Sequence, residues 1–238
     1  MEATRAIRQS AKSGSDAGSR VRLGVIETVV HTFLPELMKS MSSTLPHVEV
    51  DLTVDLTANL NEQMMRGELD VVLRVGAESE PQFSVAEDLL ELPVHWIAKR
   101  GLIPARNTLP CVFGKQLLTQ MRGSAPYVAA VSLARQLAAQ NGVPASELRI
   151  TGSPSLAALV SLVREGVGVA IMPGLFVKDS IEQGKLVELA LPAPPPLRVA
   201  TWYQKDAPAM APQVAEVVRR VCKAYCRRAG SHWVQFIG

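Results

Sequence analysis

The chain has 238 residues, 47% of them apolar and 20% charged, with 25 basic and 22 acidic side chains giving a net charge of +3. That length and composition suit a folded soluble protein, either one large domain or two lobes of about 100 residues each. No apolar run reaches the roughly 18 residues of a membrane helix, and residues 1–22 carry the whole charge excess, so the body has no overall electrostatic reason to bind nucleic acid.

The first 20 residues are polar and charged, without the apolar centre of a secretory signal, which predicts a cytoplasmic protein. Val21 to Ile26 (VRLGVI) then reads as a buried strand, with a helix starting near Glu27 and Thr28. Leu34, Leu37, Met38, Met41 and Leu45 recur at helical spacing and stop before Pro46. HVEVDLTVDL alternates as a second strand, Thr57 stands in a capping position before ANLNEQMMR, and Asp70 to Val75 (DVVLRV) is a third strand. Strands alternating with helices imply parallel pairing through right-handed crossovers, which defines an α/β lobe.

Val94 to Ala98 (VHWIA) is a further strand, after which periodicity lapses and the scheme repeats from about residue 100. A strand near Leu117 to Met121 leads through Gly123 and Ser124 to a helix carrying Tyr127, Ala130, Val131, Ala134, Leu137 and Ala138 on one face. LRIT (Leu148 to Thr151) and VGVAIM are strands on either side of a helix whose buried stripe is Leu156, Leu159, Val160 and Val163, with Ser153 as cap and Pro154 in its first turn. KLVELAL, the Pro-rich LPAPPPLR and VATWYQ follow, and Ala211 to Arg228 closes the pattern as an amphipathic helix. Its basic residues Arg219, Arg220, Lys223, Arg227 and Arg228 suit a solvated face.

Both lobes thus deliver a hydroxyl to a helix start at a strand end: Thr28 and Thr57 in one, Ser124 and Ser153 in the other. Helix N-termini with free amides attract anions, so four of them around a cleft would suit a small carboxylate, although each alone is also an ordinary cap. Gly166 and Gly168 imitate a dinucleotide loop, but they end a helix and enter a strand, the reverse of what that motif requires. Cys222 and Cys226 lack the further ligands of a zinc site and read as packing residues, with Cys111 the third of a sparse, odd set. His31, near the first helix start, can meet an acidic ligand or simply be solvated. No cofactor, metal or catalytic constellation is expected.

Four stretches in order, VRLGVIETVVHTFLPELM, GELDVVLRVG, RGSAP and SLAALVSLVREGVGVAIMP, resemble the effector-binding domain of LysR-type transcriptional regulators from Val21 to about Arg228. The resemblance implies an α/β fold of two Rossmann-like lobes joined by two crossover strands, like type 2 periplasmic binding proteins, with the crossovers near His95 to Arg100 and Leu197 to Trp202. It implies lobe I at 21–98 plus 199–229, lobe II at 99–198 and a linker-helix remnant or tag at 1–20, while residues 230–238, a C-terminal tail, have no counterpart in the family. A small effector, an anion such as a carboxylate, is expected between the lobes at Thr28, His31, Thr57, Arg74, Ser124, Val128, Ser153 and Val169. Arg74 can instead form a surface ion pair, and Ile26 stands where many members carry Ser or Thr.

The resemblance further implies a homodimer or homotetramer acting on DNA through an N-terminal winged helix-turn-helix, which residues before Val21 are too few to form. An extracytoplasmic solute-binding protein of the same fold is the alternative, as is, more remotely, an enzyme built on that fold.

Overall fold

The computed structural model describes residues 19–76, 84–104 and 108–238. The linker remnant expected over 1–20 therefore falls almost wholly outside the described residues. Among the described residues no helix is long and apolar enough to cross a membrane.

The first lobe is a six-stranded sheet. Its strands β1 (Ser19–Val25), β2 (Val48–Val54) and β3 (Val71–Val75) pair in parallel, in the order β3-β1-β2. Between them run α1 (Glu27–Val30), α2 (Leu34–Thr44) and α3 (Thr57–Met65). The single helix expected after β1 is broken at residues 31–33 because Pro35 sits in the first turn of α2, where it lacks an amide and its ring would clash with the carbonyl four residues back. On the other side β10 (Leu197–Gln204), β4 (Ser84–Leu92) and β11 (Gln235–Phe236) extend the sheet with antiparallel pairings. The last long helix, α8 (Met210–Ala229), buries Val214, Val217, Val218, Val221, Cys222 and Cys226 against this sheet, and its five late basic residues are exposed.

The second lobe is a five-stranded sheet in the order β7-β6-β8-β5-β9, formed by β5 (Val94–Lys99), β6 (Gln116–Gln120), β7 (Arg149–Ser153), β8 (Gly168–Pro173) and β9 (Leu186–Leu189). Helices cover both faces, which is why its central strands β6 and β8 are buried on both sides. Helix α4 (Thr108–Phe113) and α5 (Ala125–Gln140) pack on one face, and α6 (Leu156–Glu165) and α7 (Lys178–Glu182) on the other. Successive residues of β8 alternate between the two cores: Val169 and Ile171 meet α5, whereas Ala170 and Met172 meet α6.

Two expectations about the lobe borders are corrected. β5 belongs wholly to the second sheet, pairing with β8 and β9, so the first change of lobe falls at Pro93 rather than near 98. Proline cannot donate to a ladder, and here it separates the end of one sheet from the start of the other. The second change falls in residues 190–196, between β9 and β10, which makes Leu197 and Arg198 part of lobe I. The C-terminal tail expected at 230–238 is packed on the fold, since Trp233 and Val234 are buried and β11 lies along β4.

Candidate functional site

A cavity of about 900 Å³ opens between the two lobes, within the range of small-molecule sites. Strand ends and helix starts build it, as open α/β sheets place their ligands. From lobe I come Ile26, Thr28, Thr57, Asn61 and Arg74; from lobe II come Gln120, Ser124, Ser153 and Pro154. Five of the residues expected from the sequence, Thr28, Thr57, Arg74, Ser124 and Ser153, therefore line one space although they come from four separate βα connections and one strand.

Each is held differently from a plain cap, except Ser124. Ser124 is the N-cap of α5: its Oγ accepts from the Tyr127 amide at 3.3 Å and donates to the Met121 carbonyl at 2.7 Å. Thr57 is the first residue of α3 rather than its cap, and its Oγ1 accepts from the Val75 amide at 3.2 Å, tying the end of β3 to the start of α3. Ser153 ends β7, and the cap of α6 is Ser155, two residues later than expected, whose Oγ accepts from the Ala158 amide at 3.3 Å. Ser153 Oγ instead accepts from the Ser155 amide at 3.1 Å and shapes that turn. Arg74 is only 4% exposed, and its guanidinium lies 4.5 Å from the Trp202 ring centre, a cation–π contact that fixes a positive charge in the wall.

Three expected residues lie elsewhere. His31 follows the one-turn α1, half-exposed and not itself part of the cavity lining, with its Nε2 3.2 Å from Oε1 of Glu27, which does line the cavity. Val128 falls outside the buried stripe of α5 and is 54% exposed. Val169 is fully buried in the core under α5, because helices cover both faces of β8 and this residue lies near the start of the strand rather than at its end.

The residue the sequence reading missed is Glu27. Its Oε2 accepts from the Leu156 amide at 2.8 Å, and its Oε1 lies 3.4 Å from Ser155 Oγ and 3.5 Å from the Ala157 amide. A lobe I carboxylate thus already occupies the α6 N-terminus in lobe II, so of the four helix starts expected around the cleft this one is taken. The contact spans 129 positions, and no local pattern could have announced it. Asn61 was missed too; its Oδ1 is buried in the cavity wall with no hydrogen-bond partner among the described residues. Gly166 and Gly168 take no part: Gly166 ends α6 at φ +75°, and Gly168 sits against the Gln116 backbone.

Two α/β lobes joined by two chain crossings, with a cavity between them, define a ligand-binding domain of the type 2 periplasmic-binding-protein kind. The sequence profile of the LysR substrate binding domain matches residues 14–226, and the chain belongs to that family. It is an effector-binding domain of the LysR type, and a transporter's solute-binding protein is not favoured. The chain is 26% identical over 211 residues to a probable hydrogen peroxide-inducible genes activator of Streptomyces viridosporus, covering 86% of this chain and 65% of that protein. It therefore spans a little under two thirds of that relative's length. Its fold is like that of a reduced form of OxyR from N. meningitidis, at 21% identity, with a TM-score of 0.67, 92% of this chain and 99% of the other covered. A sulfate-bound regulatory-domain mutant of OxyR2 from Vibrio vulnificus matches at 20% identity and TM-score 0.65, over 88% of this chain and 99% of the other.

Proposed function

We propose that this chain senses a small anionic molecule, a carboxylate, bound between its lobes, and reports it within a cytoplasmic transcriptional regulator. The observation that carries this reading is the cavity in which the guanidinium of Arg74 and the starts of α3 and α5 come from opposite lobes to one space. Helix N-termini and a buried cation favour negative charge, and Thr28, Ser124 and Asn61, whose Oδ1 acceptor has no partner among the described residues, add hydrogen-bonding groups that can discriminate among anions by the donors they carry.

A ligand touching both lobes binds the closed arrangement better than the open one, and that difference in affinity shifts the lobe angle. In this reading the chain works as a homodimer or homotetramer and acts on DNA through a winged helix-turn-helix outside this sequence. It senses rather than catalyses. A thermal-shift screen of aromatic and aliphatic carboxylates tests the proposal, because a ligand that binds the folded state raises the melting temperature. Failure of every carboxylate to raise it at millimolar concentration would overturn the anionic assignment.

A further inference from the structure

After α8 the chain crosses from one lobe to the other. Residues Gln235 and Phe236 pair with β4 in lobe I, while His232 and Trp233 just before them lie against lobe II. There His232 Nε2 lies 3.1 Å from Oε1 of Glu188 on β9, and His95 Nδ1 on β5 lies 3.0 Å from Oε2 of the same carboxylate. One donor atom from each of the three side chains falls within 4.8 Å of the other two. Sequence positions 95, 188 and 232 are brought together only by the fold, and His95 stands two residues past the lobe crossing at Pro93.

We propose that His95, Glu188 and His232 bind a divalent first-row transition ion such as Zn²⁺, which clasps the C-terminal segment to lobe II beside the crossing. Two imidazoles and one carboxylate are a complete protein donor set for such an ion, leaving one position for water. Metal bonds of about 2.0–2.2 Å in a tetrahedral site put donor atoms roughly 3.3–3.5 Å apart; here each imidazole nitrogen lies 3.0–3.1 Å from a different oxygen of Glu188, and one donor atom from each residue lies within 4.8 Å of the others. A small inward movement of the two imidazoles completes the site.

The surroundings favour a fixed site over a chance surface cluster. The His95 ring is held by Trp233, at 6.0 Å between ring centres, and by Gly174, where a side-chain carbon would come within 3.1 Å of the imidazole. His232 is 60% exposed and gives an ion access from solvent. It also lies beyond residue 226, where the family profile ends, so the clasp does not follow from family membership.

The test is a titration of the chelator-treated chain with Zn²⁺, and with Co²⁺ for its visible absorption, without any effector present. The expected result is one ion per chain, a melting temperature raised by several degrees, and Co²⁺ bands typical of nitrogen and oxygen ligands. His232→Ala, at an exposed position, and Glu188→Gln should each weaken binding at least tenfold while the apo proteins still unfold cooperatively. Absence of saturable binding, or binding unchanged in either variant, would overturn the proposal. Neither outcome depends on whether the cleft binds a carboxylate.

Discussion

The Glu27 carboxylate in lobe I accepts a hydrogen bond from the Leu156 amide in lobe II at 2.8 Å, so the two lobes are joined through a helix N-terminus. Its charge complements the positive end of α6, and it supplies an acceptor to amides that would otherwise be left to water. Glu27→Gln keeps the shape and an acceptor oxygen but removes the charge. It should cost about 1 kcal/mol, seen as a fall in melting temperature of roughly 2–4 °C for a domain of this size. The same substitution should lose its effect in high salt, where the wild-type advantage is screened. A melting curve unchanged at low salt would show that the contact does no work in solution.

Thr28 and Ser124 face the cavity from opposite lobes, yet their substitutions should differ in kind. Thr28 is 6% exposed in the wall, and Thr28→Val keeps its shape, so the free protein should melt as before while affinity for the best carboxylate falls about tenfold, or ~1.4 kcal/mol. Ser124→Ala removes the cap of α5 and should lower both affinity and stability, the latter by about 1 kcal/mol. Calorimetric titration together with melting curves separates the two. Unaltered affinity in both variants would show that the ligand does not touch this part of the cleft.

Asp70 is the most heavily used buried carboxylate of lobe I. It accepts from the Arg22 amide at 2.8 Å and from the guanidinium at 2.6 and 3.1 Å, while Arg22 also donates to the Gly67 carbonyl at 2.6 Å. The paired guanidinium remains partly exposed, so breaking the pair leaves only one charge without full hydration. Asp70→Asn should lower stability by about 2 kcal/mol, measured by urea unfolding with the slope unchanged. A midpoint within error of wild type would mean that water replaces the pair without loss.

Much of this fold was legible because burial imposes periods on the sequence. The stripes Leu34 to Met41 and Leu156 to Val163 mark their helices, and the runs in β1, β3 and β8 mark strands covered on both faces. β4 was passed over because SVAEDLLEL alternates imperfectly, and its pairing with β10 shifts register at Val199 and Ala200. The starts of α1, α3, α5, α6 and α8 were legible to within two residues, the largest offset being at α6, where the end of β7 moves the cap from Ser153 to Ser155. What no pattern revealed were contacts between distant segments: Glu27 with α6, and the C-terminal segment with β4 and Glu188. Val169 was misplaced for a simpler reason: both faces of its strand are covered by helices, and only strand ends reach the cleft.

The two glycines of GVGVA offer a last comparison, because they are required for different reasons. Gly166 adopts φ +75° at the end of α6, and a β-carbon there would come 2.9 Å from the flexible Lys99 side chain, which can move. Gly166→Ala should therefore cost only the left-handed backbone penalty, about 1 kcal/mol. Gly168 is paired with Gln116 in the parallel ladder of β6 and β8, and a β-carbon would lie 2.1 Å from the Gln116 carbonyl oxygen. Only separation of two central strands relieves that overlap, so Gly168→Ala should cost more than about 2 kcal/mol. Urea midpoints should rank wild type above Gly166→Ala and that above Gly168→Ala, with the second lobe's sheet the part that loosens in hydrogen exchange. The reverse ranking would mean that the backbone conformation, not the strand contact, is what these glycines protect.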